Sequence, residues 1–280
     1  MVDTSSVNLD KCFEVITDLV NKAGAIIAHR NETRQEFVCK QGDIDLVTET
    51  DKEVEQLLMK GIREQFPDHK FIGEEESSAE GAPKKLTDDP TWIIDPVDGT
   101  MNFVHAFPHS CISVGLVVNK VTELAIVYNP LLNQRFTARR GQGAFYNDKP
   151  IKVSGQKDLS KSLITSEFGT TRDPEKMEVV KENFAKMSAK AHGLRVLGSA
   201  ALNMSMVALG AADANYEFGI HAWDVCAGDL IVREAGGVVM DPAGGPFDMM
   251  SRRVLAAATP ELAKAIAETL TQFYPQPRDD

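Results

Sequence analysis

The stretch Trp92-Ile-Ile-Asp95-Pro-Val-Asp98-Gly-Thr100 carries the information that decides the fold and the chemistry expected of this chain. An apolar strand ends there in a Pro/Gly turn, with two carboxylates three residues apart. Such a turn can direct both side chains into one space, where two carboxylates repel unless a cation lies between them. Hard divalent cations such as Mg²⁺ take oxygen ligands. Asp95, Asp98 and the Val97 carbonyl therefore predict part of a Mg²⁺ site.

Two further acidic signals stand at the ends of predicted elements. Glu74-Glu75-Glu76 follows a predicted strand that ends at Gly73, and Asp224 lies in the first turn of a predicted helix, where the dipole favours its charge. Taken singly, each signal has a plain structural explanation, namely a turn, a solvated acidic run or a helix cap. Among the three glutamates we choose Glu74 as the metal-facing one, because it directly follows Gly73.

Helix and strand signals alternate along the rest of the chain. Apolar positions spaced by three and four predict a helix from Leu9 to about Arg30, and Thr50-Asp51-Lys52-Glu53 has the form of a capping box that starts a second helix. Further strands are predicted over 70–73, 91–94, 112–118, 124–128, 237–240 and 253–257. Further helices are predicted from 174, 199, 222 and 260, with Ser199 as the cap of the second of these. The pattern predicts an α/β (α+β) protein, a single functional unit over 1–280 with structural halves 1–152 and 153–280.

Composition and charge exclude several classes of protein. The chain has 280 residues, 43% of them hydrophobic and 25% charged, which is typical of a globular protein. Its net charge of −11 argues against nucleic acid or an anionic membrane as the main partner. Its four cysteines are widely spaced, and no apolar run reaches the ~18 residues that a membrane span needs. We therefore expect a cytoplasmic protein with no membrane insertion.

Spacing also excludes two acidic motifs. Phosphatases of the haloacid dehalogenase type end a strand in Asp-x-Asp, with a nucleophile and a general acid at alternate positions, whereas two residues separate Asp95 from Asp98. An EF-hand needs an Asp-x-Asp-x-Asp-Gly run followed by a glutamate, and the chain has none.

Taken together, the motifs resemble those of the lithium-sensitive, Mg²⁺-dependent phosphatases, and most closely those of the animal members of the inositol monophosphatase family. The resemblance covers nearly the whole chain and is carried by Gly73-Glu74-Glu75, the run 92–103, Trp223-Asp224 with Gly228, and the run 244–253. It implies a layered α-β-α-β-α sandwich of the inositol monophosphatase and fructose-1,6-bisphosphatase type. It also implies a homodimer that hydrolyses myo-inositol monophosphates to myo-inositol and phosphate and is inhibited by Li⁺.

The same resemblance implies a role for individual residues, with two to three Mg²⁺ per site. The implied metal ligands are Glu74, Asp95, the Val97 carbonyl, Asp98 and Asp224. The implied catalytic residues are Glu74, Asp98 and the pair Asp51 and Thr100, with Glu74 and that pair orienting and deprotonating the attacking water. Lys40 would tune the charge near a third metal position. The implied substrate contacts are Glu74, Val97, Asp98, Gly99, Thr100, Thr170, Gly198, Ser199, Ala200, Glu217 and Asp224.

Within that set, Glu217 would accept hydrogen bonds from inositol hydroxyls, and the backbone of Gly198, Ser199 and Ala200 would donate hydrogen bonds at a helix start. The acidic net charge is compatible with an anionic substrate, because metal ions would offset the carboxylates of the site. Two alternatives stay open. The first is a related phosphatase that acts on a nucleotide 3′-phosphate or a sugar phosphate. The second is a non-catalytic partner protein, since a bacterial relative also binds the transcription machinery.

Overall fold

Two mixed β-sheets with helices between and outside them make up the computed structural model, which describes residues 7–31, 38–39, 46–75, 77 and 85–279. The helices are α1 (Leu9–Arg30), α2 (Glu49–Gln65), α3 (Thr100–Val104), α4 (Pro174–Lys190), α5 (Ala200–Leu209), α6 (Ala222–Glu234) and α7 (Pro260–Ala267). The strands are β1 (Val38–Cys39), β2 (Leu46–Val47), β3 (Lys70–Gly73), β4 (Thr91–Asp98), β5 (Cys111–Val118), β6 (Val121–Asn129), β7 (Gln134–Arg139), β8 (Ala144–Tyr146), β9 (Lys149–Ile151), β10 (Leu163–Thr165), β11 (Gly193–Arg195), β12 (Ala214–Phe218), β13 (Val238–Met240) and β14 (Arg253–Ala257). Within the described ranges, no helix combines the length and the apolarity needed to cross a bilayer.

The first sheet contains β3 to β9 in chain order, with β3 parallel to β4 and each later pair antiparallel. The second sheet has the order β11-β10-β12-β14-β13 and mixes parallel and antiparallel pairs. Strands β1 and β2 form a separate, short antiparallel pair. The change from the first sheet to the second falls between Ile151 and Leu163, and the division into halves 1–152 and 153–280 stays a proposal.

Alternation along β14 shows how the layers are stacked. Val254 and Ala256 pack with α5 and α6 and with one face of the first sheet, whereas Leu255 and Ala257 pack with α4 and α7 on the opposite side. This is the period of two that a strand buried on both faces requires. On the far face of the first sheet, α1 and α2 cover a separate apolar core. The predicted α-β-α-β-α order is therefore confirmed.

The start of α2 differs from the capping box predicted at Thr50. Thr48 is the N-cap residue, in extended conformation, and its side chain accepts hydrogen bonds from the backbone N–H groups of Thr50 and Asp51. Asp51 completes the box, because its Oδ2 accepts the backbone N–H of Thr48 at 3.0 Å. The predicted box was wrong because an aspartate three residues after Thr48 can fill the role that we gave to Glu53. Asp51 does lie in the first helical turn, as predicted.

Candidate active site

A β-bulge at the end of β4 brings its two acids to the same side of the sheet. In a regular strand, residues three apart point to opposite faces. Here Asp95 pairs with Ser113 and Asp98 pairs with Cys111, so β4 carries one more residue between these pairs than β5 does. Pro96 lies within the bulge, where its lack of an N–H costs no ladder hydrogen bond. The extra residue therefore turns a spacing of three into a shared face.

The acids of β4 meet a third carboxylate from α6. One carboxylate oxygen each from Asp95, Asp98 and Asp224 lie within 4.8 Å of one another. Asp224 lies in the first turn of α6, where its Oδ2 accepts the backbone N–H of His221 at 2.6 Å. Asp95 is only 2% exposed and Asp98 only 7%. Asp224 is half-buried. A set of converging oxygen donors of this kind fits a hard divalent cation such as Mg²⁺.

Burial raises the pKa of all three carboxyls, and repulsion from neighbouring acids adds to this effect at Asp95 and Asp98. The pKa of Asp95 lies well above its usual value because of burial and, next, the charges of Glu74, Asp98 and Asp224. Burial followed by the charge of Asp224 raises the pKa of Asp98 to about 7, and burial raises that of Asp224 to about 6. These carboxyls resist full ionisation on their own, so a bound cation would stabilise the charged cluster.

Glu74 approaches this cluster from the neighbouring strand. Because β3 runs parallel to β4, their register brings Glu74 and Asp95 to the same edge of the sheet. The half-buried Glu74 is close enough for its charge to raise the pKa of Asp95. By contrast, the backbone N–H of Glu75 donates to Glu55 of α2 at 2.9 Å, and Glu76 lies outside the described residues. Glu74 thus stays our choice among the three glutamates.

Asp51 and Thr100 meet beside the cluster, although 49 residues separate them. The Thr100 hydroxyl lies 3.2 Å from Asp51 Oδ1 and 3.0 Å from the Val97 carbonyl oxygen. The other oxygen of the fully buried Asp51 accepts both the backbone N–H and the hydroxyl of Thr48. The N-terminal turn of α2 therefore fixes Asp51, and Asp51 can fix the Thr100 hydroxyl.

The N-terminus of α5 is tied directly to Asp98. Asp98 Oδ2 accepts the Ser199 hydroxyl at 2.5 Å and the Ala201 backbone N–H at 2.8 Å. Ser199 is the N-cap of α5, as predicted, and also accepts the backbone N–H of Leu202 at 3.2 Å. The Gly198 N–H donates to Glu167 at 2.8 Å, so among the three predicted backbone donors those of Ser199 and Ala200 remain our candidates for a ligand.

Two glycines allow the turn after β4 and the loop before α5 to approach closely. Gly99 has a φ of 90°, and a Cβ there would lie 2.8 Å from the Gly198 carbonyl oxygen. Gly198 has a φ of 82°, and a Cβ there would lie 2.7 Å from Asn102 Nδ2. Larger residues would therefore be strained at both positions.

Glu217 and Thr170 differ in their relation to the cluster. Glu217 lies on β12, is 4% exposed, and has its pKa raised well above the usual value by burial, then by the charges of Glu167 and Asp224. It therefore lies within electrostatic reach of the cluster. Thr170 is exposed in the loop after β10, and within the described part of the chain no hydrogen bond joins it to the carboxylates. Lys40 lies outside the described residues.

Three neighbours of the site were missed by the sequence reasoning. Glu167 Oε1 accepts the backbone N–H groups of Leu197 and Gly198 at 2.7 and 2.8 Å. Glu167 follows β10, so a carboxylate after a strand, the signal we used elsewhere, could have found it. Asn102 donates to the carbonyl of Leu197 at 2.7 Å, and the Cys111 thiol lies 3.7 Å from Asp98 Oδ2. Asn102 belongs to the run 92–103 that carries the resemblance, although its contact was not predicted, and for Cys111 we see no signal in the sequence.

Comparison with known proteins shows the family of the chain. Residues 8–273 match the family model described as the inositol monophosphatase family. The chain belongs to this family. It is 47% identical over 271 residues to inositol monophosphatase 1 of Bos taurus, and the aligned residues make up 96% of this chain and 97% of the relative. The resemblance drawn from the motifs is therefore confirmed.

Solved structures share the inositol monophosphatase fold over almost the same length. Extragenic suppressor protein suhB from Bartonella henselae superposes with a TM-score of 0.83 at 27% identity, covering 94% of this chain and 99% of that one. The inositol monophosphatase from Anabaena (Nostoc) sp. PCC 7120 superposes with a TM-score of 0.78 at 32% identity, covering 94% of this chain and 96% of that one. The layered fold described above is thus the fold of the family.

Proposed function

We propose that this protein is a phosphoric monoester hydrolase that converts myo-inositol monophosphates to myo-inositol and phosphate, depends on Mg²⁺ and is inhibited by Li⁺. The observation that carries the proposal is the convergence of the buried Asp95 and Asp98 with the half-buried Asp224 within 4.8 Å in a member of the inositol monophosphatase family. Such a cluster fits metal-assisted phosphate chemistry, because ester hydrolysis is very slow without charge neutralisation.

The metal-binding part of the proposal assigns two to three Mg²⁺ to the oxygen donors already described. They are Glu74, Asp95, the Val97 carbonyl, Asp98 and Asp224. When bound, Mg²⁺ would neutralise phosphate charge, lower the pKa of water and stabilise the leaving alkoxide. Lys40, as proposed from the resemblance, would adjust the charge near the third position.

Asp51 and Thr100 are proposed to hold the attacking water. Asp51 Oδ1 can accept the Thr100 hydroxyl proton, which leaves the Thr100 oxygen as an acceptor for a proton of that water. With Glu74 beside Asp95, a second carboxylate can take the proton that the water loses. This arrangement needs no side-chain nucleophile.

The substrate is proposed to lie between α5 and β12. The N-terminus of α5 offers the backbone N–H groups of Ser199 and Ala200 and a favourable dipole to a phosphate group. Glu217 Oε2 has no hydrogen-bond partner among the described residues, so it can accept one from an inositol hydroxyl. Gly99 and Gly198 would let the backbone approach the ligand, and Thr170 would contact it from its loop.

A cytoplasmic location and a homodimer also belong to this proposal. Cys12, Cys111 and Cys226 are buried free thiols, which supports a reducing compartment. The homodimer is proposed from the resemblance alone, and sedimentation at micromolar concentration tests it.

A substrate comparison tests the activity itself. We expect kcat/KM in Mg²⁺ to be higher for inositol 1-phosphate than for a nucleotide 3′-phosphate or galactose 1-phosphate, and Li⁺ to inhibit the reaction. A higher value for the nucleotide or the sugar phosphate would overturn the substrate assignment. Absence of phosphate release from all three would favour the non-catalytic alternative.

A further inference from the structure

Lys176 is a buried cation that its own helix does not stabilise. It lies in the first turn of α4, where its backbone N–H donates to the N-cap residue Asp173 at 2.8 Å. The residue is 0% exposed, and its Nζ has no hydrogen-bond partner among the described residues. A cation at a helix N-terminus opposes the dipole, and a buried ammonium without partners is strongly disfavoured. Its presence therefore needs an electrostatic reason.

The loops after β10 and β12 lie against the ammonium group of Lys176. A Cβ at Gly169 would lie 2.4 Å from Lys176 Nζ, and a Cβ at Gly219 would lie 2.7 Å from it. Both glycines have positive φ, of 71° and 80°, so a side chain is disfavoured at each position by conformation as well as by space. Gly219 directly follows β12, the strand of Glu217. The backbone thus leaves room for a lysine beside the proposed substrate acid.

Glu217 is the acid whose charge acts on Lys176. It is 4% exposed, and its Oε2, like Lys176 Nζ, has no hydrogen-bond partner among the described residues. The two charges therefore act on each other through space rather than by direct contact. Burial raises the pKa of Glu217 and lowers that of Lys176, and each charge opposes the shift that burial causes in the other. At low effective dielectric, such an interaction is substantial without contact.

Other charged groups surround the pair and come from several elements. They are Glu167, Asp224, Asp98 and Asp173 on the anionic side, and Arg172 and Arg252 on the cationic side. The three acids that act on Glu217 each oppose its ionisation, whereas Lys176 favours it. Without Lys176, the balance at Glu217 would shift toward the neutral carboxyl.

We propose that Lys176 is a positioning residue that favours the charged, hydrogen-bond-accepting form of the Glu217 carboxyl group, and so makes the site selective for phosphates of polyols. This inference rests on the proposed function, which gives Glu217 the polyol hydroxyls. A carboxylate can accept from two hydroxyls at once, whereas a neutral carboxyl gives up part of that capacity to its own proton. Lys176 would therefore affect binding of the polyol more than the chemistry at phosphorus.

The test is Lys176→Met, made in the wild type and in a Glu217→Gln background. We expect the KM for inositol 1-phosphate to rise about 10-fold, as for loss of a charged hydrogen bond, with kcat changed less than about 3-fold. The inhibition constant of inorganic phosphate, which has no polyol, should stay the same. In the Glu217→Gln background the same substitution should add no further rise. Lys190→Met, an exposed change on the same helix, is the matched control and should behave like the wild type.

Three results would overturn the inference. They are an unchanged KM in Lys176→Met, an equal rise in the inhibition constant of phosphate, and an equal rise in the Glu217→Gln background. If Lys176→Met does not fold, Lys176→Gln is read by the same criteria. A wild type inactive on inositol 1-phosphate would overturn the proposed function and this inference together, whereas an active wild type with an unaffected variant overturns this inference alone.

Discussion

Replacing Asp98 with asparagine should stabilise the metal-free protein while it removes the activity. Asp98 Oδ2 accepts hydrogen bonds from Ser199 and Ala201, and the amide oxygen of an asparagine can accept both. The new amide NH₂ group would then face Asp95 and Asp224 and replace a repulsion between carboxylates with a donor. The substitution therefore removes a buried charge without leaving its partners unsatisfied.

The expected gain follows from the pKa of this carboxyl. Because the folded state raises the pKa of Asp98 from 3.8 to about 7, the folded protein holds the proton more tightly than the unfolded chain does. The charged carboxyl thus costs stability in full above pH 7, and that cost disappears as the pH falls through 7 toward 4. The difference between 3.8 and about 7 corresponds to about 4 kcal/mol. For a chain of this length, that free energy corresponds to a rise in Tm of roughly 7 °C.

Thermal unfolding in EDTA, followed by circular dichroism at pH 8 and pH 5, measures this effect. We expect Asp98→Asn to melt above the wild type at pH 8, with a gap at pH 5 of less than half that size. Phosphate release from inositol 1-phosphate in Mg²⁺ should fall about 100-fold or more. The exposed Asp148→Asn is the control, since loss of its surface ion pair should change stability by less than about 1 kcal/mol. A variant less stable than the wild type at pH 8, or an equal gap at both pH values, would refute the reasoning.

Three further substitutions test separate parts of the site. Asp51→Asn should lower kcat about 100-fold with little change in KM, as for a group that orients the attacking water; steady-state kinetics that show a larger effect on KM would contradict this role. Asp279→Ala removes the carboxylate that accepts the Ala222 N–H at 2.8 Å at the start of α6. Urea unfolding should show a loss of about 1 kcal/mol in the free energy of unfolding, and an unchanged midpoint would count against a capping role for Asp279. Gly99→Ala should destabilise by about 1–3 kcal/mol in the same assay, because its φ is 90° and its Cβ would lie 2.8 Å from the Gly198 carbonyl; a neutral result would exclude that strain.

Periodicity and end signals were enough to predict most of the fold. The spacing of apolar residues predicted α1 with the bounds that it has, and Ser199 was found as the cap of α5. The end of β4 was placed too early, at Ile94, because Pro96 looks like a strand terminator. The bulge keeps β4 paired as far as Asp98, and a bulge depends on the partner strand, which local sequence does not specify.

The site residues that belong to local sequence motifs could be predicted. Those whose roles depend on tertiary packing could not. Asp95, Asp98 and Asp224 stand at element ends, and the structure brings them together. Lys176, by contrast, follows a proline and a glutamate in an amphipathic helix and looks like an ordinary surface lysine. Only the packing of two glycine loops around it removes it from water. Asn102 likewise acquires its role through a contact 95 residues away.

The carboxylate cluster is proposed to hold the divalent ions that make this protein a phosphatase. The most direct measurement is the initial rate of phosphate release from inositol 1-phosphate as Mg²⁺ is titrated into EDTA-stripped protein, with Asp224→Asn beside the wild type. We predict no turnover without Mg²⁺, a saturable recovery in the wild type, and no recovery in the variant over the same range. Equal rates with and without Mg²⁺, or full recovery in Asp224→Asn, would contradict the claim.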